Sequence, residues 1–104
     1  MLPIDLGAEI EFMEEHARTK MLYDSPRFRA VLFCLEKGQG VPRHVSSSEV
    51  VMQIFQGSGT VIVGDKEHAV KAGDMAIAKP EEQHGFRSEG ERLVVLALII
   101  PAPG

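Results

Sequence analysis

The chain of 104 residues has a single cysteine, no excess of basic charge and no long apolar run, and each shortage removes a class of protein. With Cys34 alone, no intramolecular disulfide can form, so the fold must hold without covalent staples and a reducing compartment is acceptable. Eleven Lys and Arg against fifteen Asp and Glu leave a net charge of -4. A nucleic-acid binder usually carries a clustered basic excess, so that partner is not expected. Charged residues, 25% of the chain, are spread along it, which excludes a like-charged disordered tail. The longest apolar run, Leu93 to Ile100, falls far short of the roughly 20 residues a membrane helix needs. Met1-Leu2-Pro3-Ile4-Asp5-Leu6 lacks the basic stretch and apolar segment of a secretory signal, so the expected location is the cytoplasm, with no membrane partner.

What is present suits one small domain spanning residues 1–104, since 44% hydrophobic content supplies one ordinary core. From Phe28 onward, turn chemistry recurs at short intervals: Gly38-Gln39-Gly40, Gln56-Gly57-Ser58-Gly59, Gly64-Asp65 and Ala72-Gly73-Asp74. Between the turns lie strand-length pieces, Glu49 to Phe55, Thr60 to Val63, His68 to Val70 and Met75 to Ala78, which predicts an all-β domain. Thr60 to Val63 followed by Gly64-Asp65 reads as a hairpin with a tight turn. Leu93 to Ile100 is apolar on both parities and is therefore expected to be an inner strand buried on both faces. In the first 25 residues, Ala8 to Ala17 suits a short helix and Thr19 to Tyr23 looks extended; strands are favoured overall. Pro101-Ala102-Pro103-Gly104 ends regular structure. Cys34, within Ala30 to Leu35, reads as a small buried apolar residue.

Two blocks carry the chemistry. The first runs from Gly38 through His44, Ser46, Glu49 and Val50 to Gly57; the second from Gly73-Asp74 through Lys79-Pro80 to His84 and Phe86. Together they resemble the cupin family, whose first motif is Gly, five residues, His, one, His, three or four, Glu, six, Gly. Gly38, His44 and Gly57 fall on that frame without a gap, and Gly73, Asp74 and His84 match the second motif, with Pro80 one place late. The resemblance covers about residues 28–100, leaving residues 1–27 as an N-terminal arm. It implies a cupin-type double-stranded β-helix, a jelly-roll barrel, with a site at one mouth. In typical members two histidines and a glutamate from the first motif and a histidine from the second hold a divalent metal. His44 and His84 carry over; Ser46 stands at the second histidine position and Val50 at the glutamate position. Lys79 replaces the second motif's proline, Glu81 its turn glycine and Ser88 its closing asparagine.

Strand alternation decides what else faces the site. If the chain is extended from His44, then Ser46, Ser48, Val50, Met52 and Ile54 share its face and Glu49 points away; a one-residue bulge in Ser46-Ser47-Ser48 would bring Glu49 to a metal instead. Met52 is then expected to line the cavity beside Val50, and Phe86 to share the face of His84 and help close the pocket. The pocket would be mostly apolar with a few polar groups at one end, as in small-molecule sites. Two imidazoles and water hold one divalent transition metal of undetermined identity, or, without metal, accept and donate hydrogen bonds. His16 and His68 read as solvated, as do Arg29, Arg43, Lys79 and Arg87, whose alternative role is to draw an anionic ligand to the mouth. Val51 and Phe55 alternate with Glu49 and Gln53, so that outer face must be covered. In cupins the cover is often the N-terminal arm or a partner subunit, and the resemblance implies a homodimer. Three functions stay open: a small-molecule-binding cupin, with or without oxygenase- or isomerase-type chemistry on a metal; a metal-free ligand-binding or sensor module; and a structural barrel without chemistry.

Overall fold

A computed structural model describes residues 3–103. Its elements are α1 (Leu6–Glu9), β1 (Arg18–Asp24), β2 (Arg29–Leu35), β3 (Gly40–His44), β4 (Glu49–Val63), β5 (Lys66–Lys71), β6 (Met75–Ala78) and β7 (His84–Ile100). All strand pairings are antiparallel, in the order β1-β2-β7-β4-β5, with β3 added to β7 and β6 to β4. The all-β jelly-roll expectation is met.

The two longest strands build the barrel because each changes partners midway. The first half of β4 lies between β6 and the end of β7, and its second half between β5 and the start of β7. The β4–β7 register shifts between Ile54 and Gln56 and again between Gly57 and Gly59. Such bulges bend and twist a strand, which rolls one ladder into two opposed faces. The residues Gln56-Gly57-Ser58-Gly59 predict a turn between two strands; β4 is instead one strand of 15 residues. The glycines serve close approach there. A Cβ on Gly57, at φ 81°, would run into the Arg92 carbonyl oxygen, and one on Gly59 into that of Arg87.

The hairpin prediction holds: Val63 pairs with Lys66 across Gly64-Asp65, and Gly64 takes φ 65° at the position that type II′ turns give to glycine. Leu93 to Ile100 is the second half of β7, an inner stretch flanked by β2 and β4. Its apolar doubling has a cause: Leu93, Val95 and Ala97 enter the inner core with Leu35, Met52, Ile54 and Val61, whereas Val94 and Leu96 join Leu32 and Cys34 on the outside. Each fully buried side chain of this kind contributes roughly 1.5–3 kcal/mol.

The outer cluster is covered by the arm. Only Leu6–Glu9 is helical, one turn capped by the Asp5 carboxylate, which accepts from the Ala8 N–H at 3.3 Å. The possible helix over Ala8 to Ala17 does not form, while Thr19 to Tyr23 is extended within β1. Ile10 and Phe12 pack on the cluster of Leu32, Cys34 and Val94, as Phe55 does. Gln39 donates to the Met13 carbonyl at 2.7 Å, and the Arg92 guanidinium sits 4.2 Å from the centroid of the Phe12 ring. Cys34 is buried, as its apolar surroundings predict, and burial pushes its thiol pKa up, away from reactivity.

Gly57 and Gly73 both have positive φ, but a Cβ on Gly73 meets nothing within 4 Å. Gly73→Ala should therefore cost only the left-handed penalty, about 1 kcal/mol, and Gly57→Ala about 3 kcal/mol or more, because the strand must also move. Urea unfolding of the two variants gives the comparison; equal losses would show that the β4–β7 approach is not tight.

Candidate functional site

His44 ends β3 and His84 begins β7, and the two residues are cross-strand partners. Their rings lie 4.3 Å apart between centroids at an interplanar angle of 59°. His84 is 3% exposed while His44 is exposed, so the pair runs from the interior to the rim. The Nδ1 of His44 lies 3.0 Å from the Pro42 carbonyl oxygen, and the Nδ1 of His84 lies 3.0 Å from that of Glu82. A carbonyl only accepts, so each neutral ring carries its proton on Nδ1 and keeps a lone pair on Nε2. This is the arrangement in which backbone carbonyls orient metal-ligating imidazoles.

The pair opens onto a cavity of about 200 Å³. Its polar lining consists of His44, His84 and Ser46; the rest is apolar, from Phe33, Val41, Val50, Phe86, Ala97, Ile99 and Pro103. Phe33 and Phe86 meet edge to face, with centroids 5.2 Å apart. Broader hollows exist, such as one of about 570 Å³ around Phe12, Gln56, Glu91 and Arg92. They are more open, and charged groups in them are paired with one another, as Arg92 is with Glu36 and Arg29 with Asp24, so the smaller, more enclosed cavity is the candidate site.

Two irregularities aim the lining. A register shift between Val41 and His44 lets these residues, three apart, both face the cavity. Extension does not continue through Val45 to Ser48: the chain bends there, the Ser48 N–H reaches Ser46 Oγ at 3.3 Å, and the Ser48 hydroxyl donates to the Pro101 carbonyl at 2.6 Å. Ser46 and Val50 still line the cavity. Glu49 is exposed, paired with Ile100, and stands outside the cavity, so it does not join the histidines. Among the described residues no group of three or more His, Cys, Asp or Glu is placed to hold a metal. Met52 differs from expectation: it is 0% exposed in the core cluster with Val50 and Phe86, packed below the cavity rather than lining it.

Sequence pattern gives no sign that Phe33, Val41, Ala97, Ile99 and Pro103 line the cavity. Ala97 and Ile99 lie in a run apolar on both parities, and so does Phe33, so alternation carries no signal there; Val41 is hidden by the bulge. His16 and His68 are both exposed and stand apart from the cavity. Of the basic residues, Arg29 pairs with Asp24 at 3.0 Å, and Arg87 pairs with Glu67 at 2.7 Å and Glu89 at 2.8 Å. Hydrogen bonding from Arg87 holds the Glu67 carboxyl below its ordinary range. Arg43 and Lys79 are exposed, and none of the four lines the cavity.

The turn before His84 carries strain. Glu81, where the resembling motif has glycine, takes φ 67°. Its N–H donates to the Ser46 carbonyl at 2.8 Å, tying the segment after His44 to the segment before His84. That bond adds to the β3–β7 pairing that sets His44 opposite His84, although the two arrive from distant parts of the chain.

Residues 31–100 match the family described as Cupin domain. A solved structure of TT1209 from Thermus thermophilus is 28% identical, with a TM-score of 0.94 over 99% of this chain and 100% of that one. An RmlC-like cupin from Desulfovibrio desulfuricans is 24% identical, with a TM-score of 0.88 over 97% of each chain. KdgF from Halomonas sp. is 19% identical, with a TM-score of 0.82 over 96% of this chain and 92% of that one. No curated protein matches the sequence.

Because Glu81 holds a conformation that glycine adopts freely, Glu81→Gly should raise stability by about 0.5–1 kcal/mol, the relief of left-handed strain less the greater freedom of glycine in the unfolded chain. The urea midpoint reads this. A loss of stability would mean that the Glu81 side chain itself holds the turn.

Proposed function

The chain belongs to the cupin family, and from that membership we propose that it binds a small molecule in the cavity at the His44–His84 pair, with the pair as a reduced, weak divalent-metal site. One observation carries the reading: two imidazoles, each fixed by a backbone carbonyl on Nδ1, stand 4.3 Å apart at the rim of an otherwise apolar cavity. Preformed apolar hollows with a few convergent polar groups are the usual form of a ligand site. A divalent transition metal fits this donor set in part: His44 and His84 would hold it through Nε2, and it would supply Lewis acidity toward a bound ligand. Two protein ligands where four are usual in the family imply weak retention. Without metal, the same two Nε2 atoms accept hydrogen bonds directly, so ligand binding does not depend on the ion.

The test is elemental analysis of untagged protein together with melting curves on adding zinc, nickel, copper, iron or manganese. The wild type should gain a few degrees of melting temperature with at least one ion, and the His44→Ala, His84→Ala double variant should gain none. Equal shifts in both proteins would place the ion elsewhere, and no shift in the wild type would remove the metal from the proposal.

We further propose a homodimer, with the strands' outer face as the contact. The arm covers only part of that face, at the cluster of Leu32, Cys34 and Val94. Beyond it, Met75 is 61% exposed, Ile77 49% and Ile100 40%. Ile77 is in register with Val51, and Val51 with Leu98, which makes the apolar patch continuous across three strands. Contiguous apolar surface of this kind is uncommon on monomers, and a two-fold axis would bury the same patch on both copies. Sedimentation velocity should find a dimer for the wild type and a folded monomer for Met75→Glu, Ile77→Glu. A wild-type monomer at tens of micromolar protein would refute the contact.

A further inference from the structure

The lining of the cavity also restricts what enters it. We infer that the ligand is a small, uncharged compound with an apolar, preferably aromatic, body and one hydroxyl group, a substituted phenol being the type. The inference rests on the reading of this cavity as a ligand site.

Charge is decided first. Among the described residues no Lys, Arg, Asp or Glu lines the cavity. The basic groups named above are elsewhere engaged or solvated: Arg87 is held by Glu67 and Glu89, and Arg29 by Asp24. The chain beside His84 is acidic instead, with Glu81 and Glu82 shortly before it and a net charge of -4 overall. A carboxylate or phosphate in the cavity would lose water and gain no cation, which weighs heavily against its entry. Anionic sugars and organic acids are therefore disfavoured.

Size comes next. About 200 Å³ is modest. An apolar cavity of about 150 Å³ accepts benzene in another protein, so the space here suits one ring with a small substituent. Phe33 and Phe86 already meet at 79°, and a third ring against them would make the offset or edge contacts that aromatic groups prefer.

Head-group chemistry follows from the tautomers. With both Nδ1 protons given to Pro42 and Glu82 carbonyls, the histidines offer the cavity two acceptors. Ser46 adds a hydroxyl beside them, its oxygen 3.4 Å from the Ser48 carbonyl. A ligand must bring a donor to an imidazole, and an O–H satisfies one Nε2, the exposed His44 leaving the other to water, while its oxygen accepts from a hydroxyl or binds a metal. A ketone or ether would leave both lone pairs unmet.

The test titrates the full chain at pH 7, in buffer containing EDTA, with phenol, benzoate and toluene, followed by two-dimensional amide NMR. Phenol should shift the signals of Phe33, Val41, Val50 and Phe86 saturably, with a Kd at least tenfold below those of benzoate and toluene. Ala97→Leu, which fills the cavity, should raise the phenol Kd at least tenfold. The His44→Ala, His84→Ala variant should bring phenol to the level of toluene, which keeps the test decisive if Ala97→Leu does not fold. Benzoate binding as tightly as phenol would overturn the exclusion of anions, and toluene equalling phenol would overturn the hydroxyl requirement; either result leaves the cavity a ligand site. If none of the three shifts those signals, both this inference and the ligand-binding proposal fall.

Discussion

The close approach of β4 and β7 at Gly57 and Gly59 is the constraint on which the barrel depends. Both strands are long enough to belong to two opposed faces, and a strand of 15 residues does not turn from one face to the other unless something bends it. The register shifts at Ile54/Gln56 and Gly57/Gly59 supply the bend, and the missing side chains let the Arg87 and Arg92 carbonyls come close. Once bent, each strand presents alternate residues inward on both faces. The interior fills with Met52, Ile54, Val61, Leu93 and Val95, and the inner core ends where Val50, Ala97 and Ile99 begin to line the cavity.

At that end, packing gives way to hydrogen bonding. His84 is buried and begins β7; His44 ends β3 opposite it. Neither strand end fixes its own side chain. The carbonyls of Pro42 and Glu82, each two residues before its histidine, set the ring orientations, and the bond from Glu81 N–H to the Ser46 carbonyl joins the two loops. The left-handed Glu81 is the local cost of that join. Strain of this kind persists only where surrounding structure over-determines it, and here strands on both sides do so.

Much of this is legible in the chain because turn residues and motif spacing speak directly about backbone. Gly64-Asp65 announces the hairpin, and Gly38, His44, Gly57, Gly73, Asp74 and His84 place the two histidines on facing segments. The same reasoning misreads Gln56-Gly57-Ser58-Gly59, since glycine signals a turn and a close strand approach in the same letters. Side-chain direction is legible only where apolar and polar residues alternate. Along Ala30 to Leu35 and Leu93 to Ile100 both parities are apolar, because one face packs the interior and the other lies on the outside, partly under the arm. Phe33, Ala97 and Ile99 cannot be assigned to the cavity from such runs. Parity does assign Met52 to it, which is correct about the face and silent about depth.

The two substitutions in the family's metal frame have a joint consequence. A glutamate at position 50 would sit in a wall otherwise made of Phe33, Val41, Phe86, Ala97 and Ile99. There its carboxylate would be costly to desolvate unless a cation were bound, so such a site is stable chiefly in its metal-loaded form. Val50 removes that dependence and adds apolar surface in the same step. Ser46 replaces a second ring with a small hydroxyl that is within reach of the Ser48 backbone. The remaining imidazoles are each satisfied on Nδ1 by a carbonyl, and a neutral Nε2 lone pair left to water or a ligand costs far less than a bare carboxylate. Loss of the two donors thus does more than weaken a metal site. It leaves a cavity with no carboxylate in its lining, so that lining calls for no ion to compensate a buried charge.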